Sequence, residues 1–396
     1  MVSKKMNERL TRIGSGTPCG ELMRRYWQPL CPLGELTVSN PKKRVCIMGE
    51  NLVVYRNASG KLSCIEEYCT HRRVSMYYGF VEDDGIRCCY HGWKFDREGK
   101  CVELPFETEK PAFMKKVAMK SYPVKALGGL IFIYMGPDPE KAPLLPRWDV
   151  LVREDGARTI RMFPVHECNW LQIQENTPDS THTLYLHAGI ANALSVKHPF
   201  AAYFDRPIID YTWEFCEWGI DKTITYGGEV PDIEIRPPVI FPNLLRIPTG
   251  LLEVIQWRVP IDDERTQIVY IHFDPESNCG LSMAENAEVP FKYVGPWLTP
   301  DGDYDLQSFP SQDQMAWENQ GETPIFNRST ETLGASDKGI AMFREMLDEQ
   351  ISRIENGKEP NVARLTDPKK NQCIAFESAT SQLDGMEKIK AATTGD

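Results

Sequence analysis

Short runs of alternating hydrophobic and polar residues recur through the first third of the chain. Val45–Met48 and Leu52–Arg56 flank a turn centred on Gly49. The further strand-like segments of this region are Leu62–Tyr68, Ile86–Tyr90, Trp93–Asp96 and Val124–Tyr134. Alternation with a period of two residues predicts β-strands, and short strands at close spacing are typical of a small all-β unit.

A proline-rich segment separates this region from the rest of the chain. Pro137, Pro139, Pro143 and Pro146 fall within ten positions, and neither a helix nor a central strand continues through such a segment. We therefore expect a domain boundary there. The predicted organisation is a helical lead-in over 1–40 with a short helix around Glu21–Trp27, an all-β domain over 41–147, a larger domain over 148–378 and a weakly structured tail over 379–396.

The larger domain combines helical and strand-like patterns. Helical texture over Asn169–Leu186 is interrupted by Pro178. Strand-like segments follow at Ile208–Ile224, Val239–Arg246, Leu252–Val259 and Gln267–Phe273. Ser336–Asn356 is the clearest helix, because apolar residues recur in it at helical spacing and Ser336 is placed to cap it. The predicted fold class is α+β, with a small all-β domain and a larger antiparallel-sheet-and-helix domain.

Length, composition and charge narrow the functional classes. A chain of 396 residues is long enough for two domains. It carries 45 Lys+Arg against 56 Asp+Glu, and this net charge of −11 does not favour binding to nucleic acid. No apolar run approaches the roughly 20 residues that span a bilayer, and the first 13 residues contain no signal-peptide core. We expect a soluble, cytoplasmic protein without nucleic-acid or membrane partners.

The twelve cysteines point to metal binding, because a reducing cytosol disfavours structural disulfides. Cys69-x-His71 and Cys88-x-x-His91 form two Cys/His pairs near predicted hairpin tips. A structural zinc site usually has both Cys in one pair, whereas each pair here holds one of each. That order favours a Rieske [2Fe–2S] cluster, in which one iron takes both Cys and the other both His. A zinc site stays an alternative, and the Cys-x-x-His spacing selects Cys88 over the adjacent Cys89.

A second His pair suggests a second metal. His182 and His187 lie close to acidic residues, and two His with one carboxylate form the site of non-haem iron(II) oxygenases. Positions five apart point about 140° away from each other on a regular α-helix, so the helix must be irregular for both to bind one ion. Asp179 either ligates the metal or accepts a hydrogen bond from a ring, and Glu175 supports the site or faces solvent. A structural role for both His also remains open, but an upstream electron donor favours iron.

Together these motifs resemble the Rieske non-haem iron ring-hydroxylating oxygenases. The likeness is to the catalytic subunit of the phthalate dioxygenase-like branch, which includes aromatic-acid O-demethylases. The two Cys/His pairs with Gly92-Trp93 are similar to the family's cluster motif, and Asn169 through His187 is similar to its iron motif. Gly20–Pro29 and Thr332–Asp337 resemble flanking segments of that branch, so the likeness runs from about residue 15 to residue 355.

The resemblance implies site roles that spacing does not reveal. The implied ligands of the mononuclear iron are His182, His187 and Asp313. Asp179 then bridges a Rieske histidine of one chain to an iron histidine of the next, which implies a ring-like homo-oligomer, either a trimer or a hexamer of stacked trimers. Asn176 matches a polar residue near the iron. Cys89 stands where the family commonly has proline, which leaves the ligand set intact but changes the surroundings of the cluster.

Cofactors, electron donor and reaction also follow from the resemblance. The implied cofactors are a Rieske [2Fe–2S] cluster and a mononuclear Fe(II). No Gly-x-Gly-x-x-Gly nucleotide loop occurs in the chain, so a separate flavin and iron–sulfur reductase, fed by NAD(P)H and acting directly or through a ferredoxin, is expected to supply electrons. The implied reaction uses O₂ to hydroxylate or O-demethylate an aromatic carboxylic acid, phthalate-like or methoxylated.

An aryl carboxylate is commonly held bidentately by a buried arginine. Arg246, within the apolar run Phe241–Ile247, is the first candidate and Arg206 is the second. For each, a structural salt bridge is the alternative. Two other functions remain in view: a Rieske electron-transfer protein without oxygenase activity, and a zinc-stabilised binding protein.

Overall fold

The structure is a computed structural model that describes residues 2–107, 110–179, 181–195, 206–228, 233–248, 253–274 and 288–376. The residues of the predicted tail, 379–396, lie outside these ranges. The strands are β1 (Gln28–Pro32), β2 (Lys42–Ile47), β3 (Glu50–Arg56), β4 (Leu62–Glu66), β5 (Phe80–Glu82), β6 (Gly85–Arg87), β7 (Lys94–Asp96), β8 (Cys101–Glu103), β9 (Ser121–Tyr122), β10 (Val124–Leu127), β11 (Leu130–Ile133), β12 (Ala157–His166), β13 (Ile208–Cys216), β14 (Gly219–Tyr226), β15 (Ile233–Ile235), β16 (Val239–Ile240), β17 (Leu244–Pro248), β18 (Glu253–Pro260), β19 (Thr266–Asp274) and β20 (Phe291–Tyr293).

Helices flank the sheets. The α-helices are α1 (Lys4–Thr11), α2 (Pro18–Met23), α3 (Lys110–Met114), α4 (Asp149–Val152), α5 (Trp170–Glu175), α6 (Ile190–Ala193), α7 (Phe309–Glu318) and α8 (Lys338–Glu355). A π-helix covers Thr183–Gly189. Short 3₁₀ turns cover Leu33–Glu35, Met76–Tyr78, Pro139–Lys141, Ala335–Asp337 and Pro368–Lys370. Within the described ranges, no helix combines the length and the apolar character needed to cross a membrane.

The predicted all-β region forms two four-stranded antiparallel sheets, in the orders β2-β3-β4-β9 and β5-β6-β7-β8. The predicted hairpin is confirmed: β2 pairs with β3 from Lys42↔Tyr55 to Ile47↔Glu50, and Gly49 turns the chain with φ 75°. A separate apolar core lies within this domain and includes Cys69 and Cys88. Packing in this core holds both cysteines in place. The two sheets with a core of their own confirm the small all-β domain of the predicted fold class.

One predicted strand is wrong as a single element. Val124–Tyr134 divides into β10 and β11, because Gly128 and Gly129 have φ of 57° and 82° and form a tight turn. Strand β1 then pairs with β11 and completes a three-stranded sheet, β1-β11-β10. The stretch Gln28–Pro32, which we assigned to a helical lead-in, therefore contributes a strand.

A nine-stranded sheet forms the larger part of the fold. Its order is β13-β14-β16-β17-β18-β19-β12-β20, with β15 paired to β14, and only the β12–β20 pair is parallel in the described ladder. Strand β12 was not predicted, because Pro164 interrupts its alternation at a register shift between Met162 and Val165. Of the predicted segments, Ile208–Ile224 and Val239–Arg246 each contain two strands.

The clearest predicted helix is confirmed as α8, but its start differs. A 3₁₀ turn over Ala335–Asp337 precedes it, so Ser336 lies inside that turn and does not cap α8. The Asp337 carboxylate instead accepts a hydrogen bond from the Gly334 amide at 2.7 Å. Near the N-terminus, the predicted helix over Glu21–Trp27 begins earlier, because the Thr17 hydroxyl caps α2.

Candidate metal centres

The two Cys/His loops of the small domain have matching backbone conformations. The Cys69 amide donates to Val74 O at 2.9 Å, and the Cys88 amide donates to Trp93 O at 2.8 Å, five residues on in each case. Arg73 N returns a bond to Cys69 O at 2.9 Å, as Gly92 N does to Cys88 O at 3.1 Å. The residues four after each cysteine, Arg73 and Gly92, both adopt positive φ, 60° and 73°. The chain therefore presents two equivalent turns.

The side chains of these loops converge on one place. Cys69 and Cys88 are buried, with 1% and 3% exposure, and the rings of His71 and His91 have centroids 4.5 Å apart. The His71 ring stacks on Trp93 at 4.3 Å. Its Nδ1 is buried without a hydrogen-bond partner among the described residues.

This donor set fits a Rieske cluster. Burial raises the pKa of the Cys69 thiol to about 11, so its thiolate needs the positive charge of a metal for stabilisation. Cys89, in contrast, is exposed. The structure thus brings Cys69, His71, Cys88 and His91 together and leaves Cys89 pointing outward.

A second donor set lies between the π-helix and α7. His182 caps the π-helix, and His187 is inside it. A π-helix has i→i+5 hydrogen bonding, so residues five apart come close to one face. This is the irregularity that the His182/His187 spacing requires. Asp313, on α7, places Oδ1 3.9 Å from His182 Nε2 and 3.5 Å from His187 Nε2.

The three groups fit a single metal ion. One ligand atom from each of His182, His187 and Asp313 lies within 4.8 Å of the other two. Asp313 Oδ1 is buried and has no hydrogen-bond partner among the described residues. Burying a carboxylate oxygen without a partner costs free energy, and a bound cation would offset that cost. Two imidazoles and one carboxylate are the donors of the facial triad that binds Fe(II) and leaves positions open.

Asp179 supports the His182 ring. Its Oδ2 lies 3.2 Å from His182 Nδ1, while its Oδ1 accepts hydrogen bonds from the amide and hydroxyl of Thr181 at 2.8 and 3.0 Å. Burial opposes ionisation of Asp179, but the His182 and Thr181 interactions outweigh it and hold the pKa well below its usual range. Asn176 approaches from the other side, with Nδ2 3.4 Å from His182 Nε2.

Gln312 supports the His187 ring and was missed in the sequence. Its Oε1 lies 2.9 Å from His187 Nδ1, and its Nε2 donates to Leu306 O at 2.8 Å. Because the amide nitrogen is committed to Leu306, the oxygen faces the ring and accepts the Nδ1 proton, which leaves Nε2 for a metal. The only signal for Gln312 was its position next to Asp313.

A buried ion network fixes the helix that leads into the iron motif. Glu175, at the end of α5, accepts hydrogen bonds from Arg328 at 2.8, 3.0 and 2.8 Å and from Arg344 at 2.6 Å. Burial disfavours its charge, but the two guanidinium groups prevail and lower its pKa. Glu175 is therefore buried in an ion network at the end of α5 and does not face solvent; its role in supporting the metal site stays a prediction.

The predicted substrate arginines have other contacts. Arg246 is 1% exposed, and its Nη2 binds Glu253 at 2.5 Å and Asp149 at 3.2 Å. Two carboxylates already occupy its guanidinium, so the structure favours the salt-bridge alternative for Arg246. Arg206 donates from Nε to Gly227 O at 2.9 Å, a contact that joins the start of β13 to the end of β14.

Two family models match parts of the chain that hold residues of the two donor sets. Residues 26–123 match the Rieske [2Fe-2S] domain family, and residues 298–393 match the family described as LigXa C-terminal domain like. The first match contains both Cys/His loops, and the second contains Asp313.

Two curated relatives are similar over nearly the whole chain. The 5,5'-dehydrodivanillate O-demethylase oxygenase subunit of Sphingobium sp. (strain NBRC 103272 / SYK-6) is 37% identical over 405 residues, covering 99% of this chain and 91% of the relative. The phthalate 4,5-dioxygenase oxygenase subunit of Pseudomonas putida is 30% identical, covering 90% and 88%. Among solved structures, NdmA of Pseudomonas putida CBB5 has a TM-score of 0.62 at 18% identity, covering 86% of this chain and 94% of that one, which shows a shared fold.

Proposed function

The chain belongs to the family of Rieske oxygenase subunits, and on that premise we propose that it uses O₂ to hydroxylate or O-demethylate an aromatic carboxylic acid. The protein is an oxidoreductase with a Rieske [2Fe–2S] cluster and a mononuclear iron as cofactors. Two relatives named for aromatic acids, 5,5'-dehydrodivanillate and phthalate, support this substrate class. The observation that carries the proposal is the convergence of His182, His187 and Asp313 in a chain that also holds two matched Cys/His loops.

We assign the ligands accordingly. Cys69 and Cys88 hold one iron of the cluster, and His71 and His91 hold the other. The ligands of the mononuclear iron are His182, His187 and Asp313. When bound, the cluster supplies single electrons and the mononuclear iron activates dioxygen.

The residues around the triad orient its ligands. The Asp179 carboxylate lies 3.2 Å from Nδ1 of His182, and Gln312 accepts a hydrogen bond from Nδ1 of His187, so both Nε2 atoms face Asp313. Asn176 places its Nδ2 3.4 Å from His182 Nε2, so its amide lies beside the nitrogen of that ring that faces Asp313. These two imidazoles and one carboxylate would hold an iron with coordination positions left open, as dioxygen activation requires.

Oxygenase subunits of this family work with an electron-donor partner. We propose a flavin and iron–sulfur reductase that draws on NAD(P)H, directly or through a ferredoxin. We also propose a trimer or hexamer in which Asp179 connects to the cluster of a neighbouring chain. Asp179 and His182 support this because their side chains keep 21% and 18% exposure, and Tyr90, 53% exposed, lies against His91 at the cluster. A cytoplasmic location is part of the same proposal.

A single-turnover experiment tests the function without the reductase. The purified protein is reduced with dithionite under argon, the excess is removed, and air-saturated buffer is added with phthalate, methoxybenzoates or biaryl acids. We expect an accepted acid to yield an oxygenated product as the cluster bleaching reverses, and formaldehyde to appear if a methoxy group is removed. Reoxidation of the cluster without product from any aromatic acid would contradict the proposal.

A further inference from the structure

Six arginines are buried in the described part of the chain, and one of them lacks a close partner. The five with close partners are Arg24 with Glu50 at 2.6 Å, Arg158 with Leu151 O at 2.6 Å, Arg246 with Glu253 at 2.5 Å, Arg328 with Glu175 at 2.8 Å and Arg344 with Glu175 at 2.6 Å. The sixth is Arg258, which is 1% exposed. Its guanidinium has one long contact, from Nη1 to Gln256 O at 3.4 Å, and its Nε has no partner among the described residues.

The position of Arg258 on β18 directs its side chain toward the iron motif. Its neighbours in the chain, Trp257 and Val259, pack into the main core, so Arg258 projects from the opposite face of the sheet. Ile268 pairs with Arg258 on β19 and shares that face. Ile268 packs with Ile173 of α5 and Trp317 of α7. Arg258 therefore lies on the sheet face that α5 and α7 cover, and α7 carries Asp313.

The charges nearby agree with this placement. Burial lowers the pKa of Arg258, and the negative charge of Asp313, a member of the triad, opposes that effect. Lys222, the other buried cation of this region, already has backbone hydrogen-bond partners. Its Nζ donates to Thr177 O at 2.7 Å and to Asp179 O at 3.3 Å, which holds the loop that carries Asp179.

A buried guanidinium without a bound anion is costly to maintain. The planar fork of arginine matches a carboxylate bidentately, and an aromatic acid brings a carboxylate to this site. We propose that Arg258 binds the carboxylate of the aromatic acid and so directs the ring toward the iron triad. This inference rests on the proposed function and replaces Arg246 as the residue that recognises the acid.

Equilibrium binding to the holoprotein separates this role from a structural one. The probes are 3-methoxybenzoate and biphenyl-3-carboxylate, each measured beside its neutral methyl ester by calorimetry under argon. For Arg258→Gln, we expect the dissociation constant of the acids to rise by at least about 30-fold and that of the esters by less than about 3-fold, because only the acids lose a buried charge pair. Arg258→Lys keeps the charge without the fork, and it should lie between the wild type and the Gln variant.

Arg246→Lys provides the matched control, since Arg246 is equally buried on the neighbouring strand but is paired with two carboxylates. The Arg246→Lys variant should have the same ratio of acid affinity to ester affinity as the wild type. An unchanged ratio in Arg258→Gln would overturn the inference while leaving the proposed function intact. An equal loss of acid and ester binding, together with loss of the mononuclear iron, would also overturn it, because Arg258 would then support Asp313 as an iron ligand and would not bind the substrate. A wild type that does not prefer acids to esters would contradict the proposed substrate class itself.

Discussion

Replacing Gln312 by leucine tests how the iron site is held. Gln312 is 1% exposed, and its Oε1 lies 2.9 Å from His187 Nδ1 while its Nε2 is fixed by Leu306 O at 2.8 Å. Leucine has a similar size but no acceptor, so the His187 ring loses the bond that sets its tautomer and orientation. Losing such a partner typically weakens metal binding by about 10- to 100-fold, or about 1.4 to 2.7 kcal/mol.

The chain offers a matched control on the same helix. Gln314 is also buried, at 6% exposure, but its Nε2 binds Glu318 at 3.0 Å, away from the triad. Competition for Fe(II) against a coloured chelator under argon gives the affinity of each variant, and the visible absorption of the cluster reports on the untouched centre. We expect weaker Fe(II) binding in Gln312→Leu, affinity near that of the wild type in Gln314→Leu, and an unchanged cluster in both. Equal Fe(II) affinity in Gln312→Leu and the wild type, or an equal loss in both variants, would refute the reasoning.

Three further predictions concern other parts of the two centres. Asp179→Asn should retain both metals but largely uncouple reduction of the cluster from product formation, and turnover near the wild-type rate in steady-state assays would refute the bridging role. Glu175→Gln leaves the buried Arg328 without a carboxylate and removes one of the two carboxylates that pair with Arg344, and it should cost about 3 to 5 kcal/mol in urea unfolding. Because the folded pKa of Glu175 is lowered, its contribution is full above the ordinary Glu pKa and is lost as the pH falls through the folded value; a difference between wild type and variant that grows toward acidic pH would contradict this. Cys88→Ser should abolish the cluster absorption whereas Cys89→Ser should keep it, and the reverse result would exchange the two assignments.

The parts of the site that the sequence predicted are those with short-range spacing. Each Cys/His pair lies within one loop, so its separation is visible in the chain. The five-residue spacing of His182 and His187 indicated an irregular helix, and the π-helix accounts for it because its hydrogen bonds join residues five apart. Asp313 is far from both His in sequence, so only the resemblance to a family pointed to it.

The parts that were missed depend on long-range contacts. Arg246 drew attention as an arginine in an apolar run. Its partners Glu253 and Asp149 lie 7 and 97 positions away, and only the folded sheet and α4 bring both carboxylates to its guanidinium. Arg258 lies in an equally apolar strand, and only the folded sheet reveals that its guanidinium lacks a close partner. The main errors in the predicted fold have local causes. Pro164 interrupts the alternating pattern of β12, so that strand was not predicted, and the Gly128-Gly129 turn lies inside a segment that was predicted as one strand.

Metal and sulfide analysis of anaerobically purified protein, reconstituted with Fe(II), tests the central claim most directly. The account predicts about three iron atoms and about two acid-labile sulfides per chain, since a [2Fe–2S] cluster and one mononuclear iron are both held by the chain. Zinc in place of iron, or iron at about two per chain after reconstitution with the triad left without metal, would contradict it.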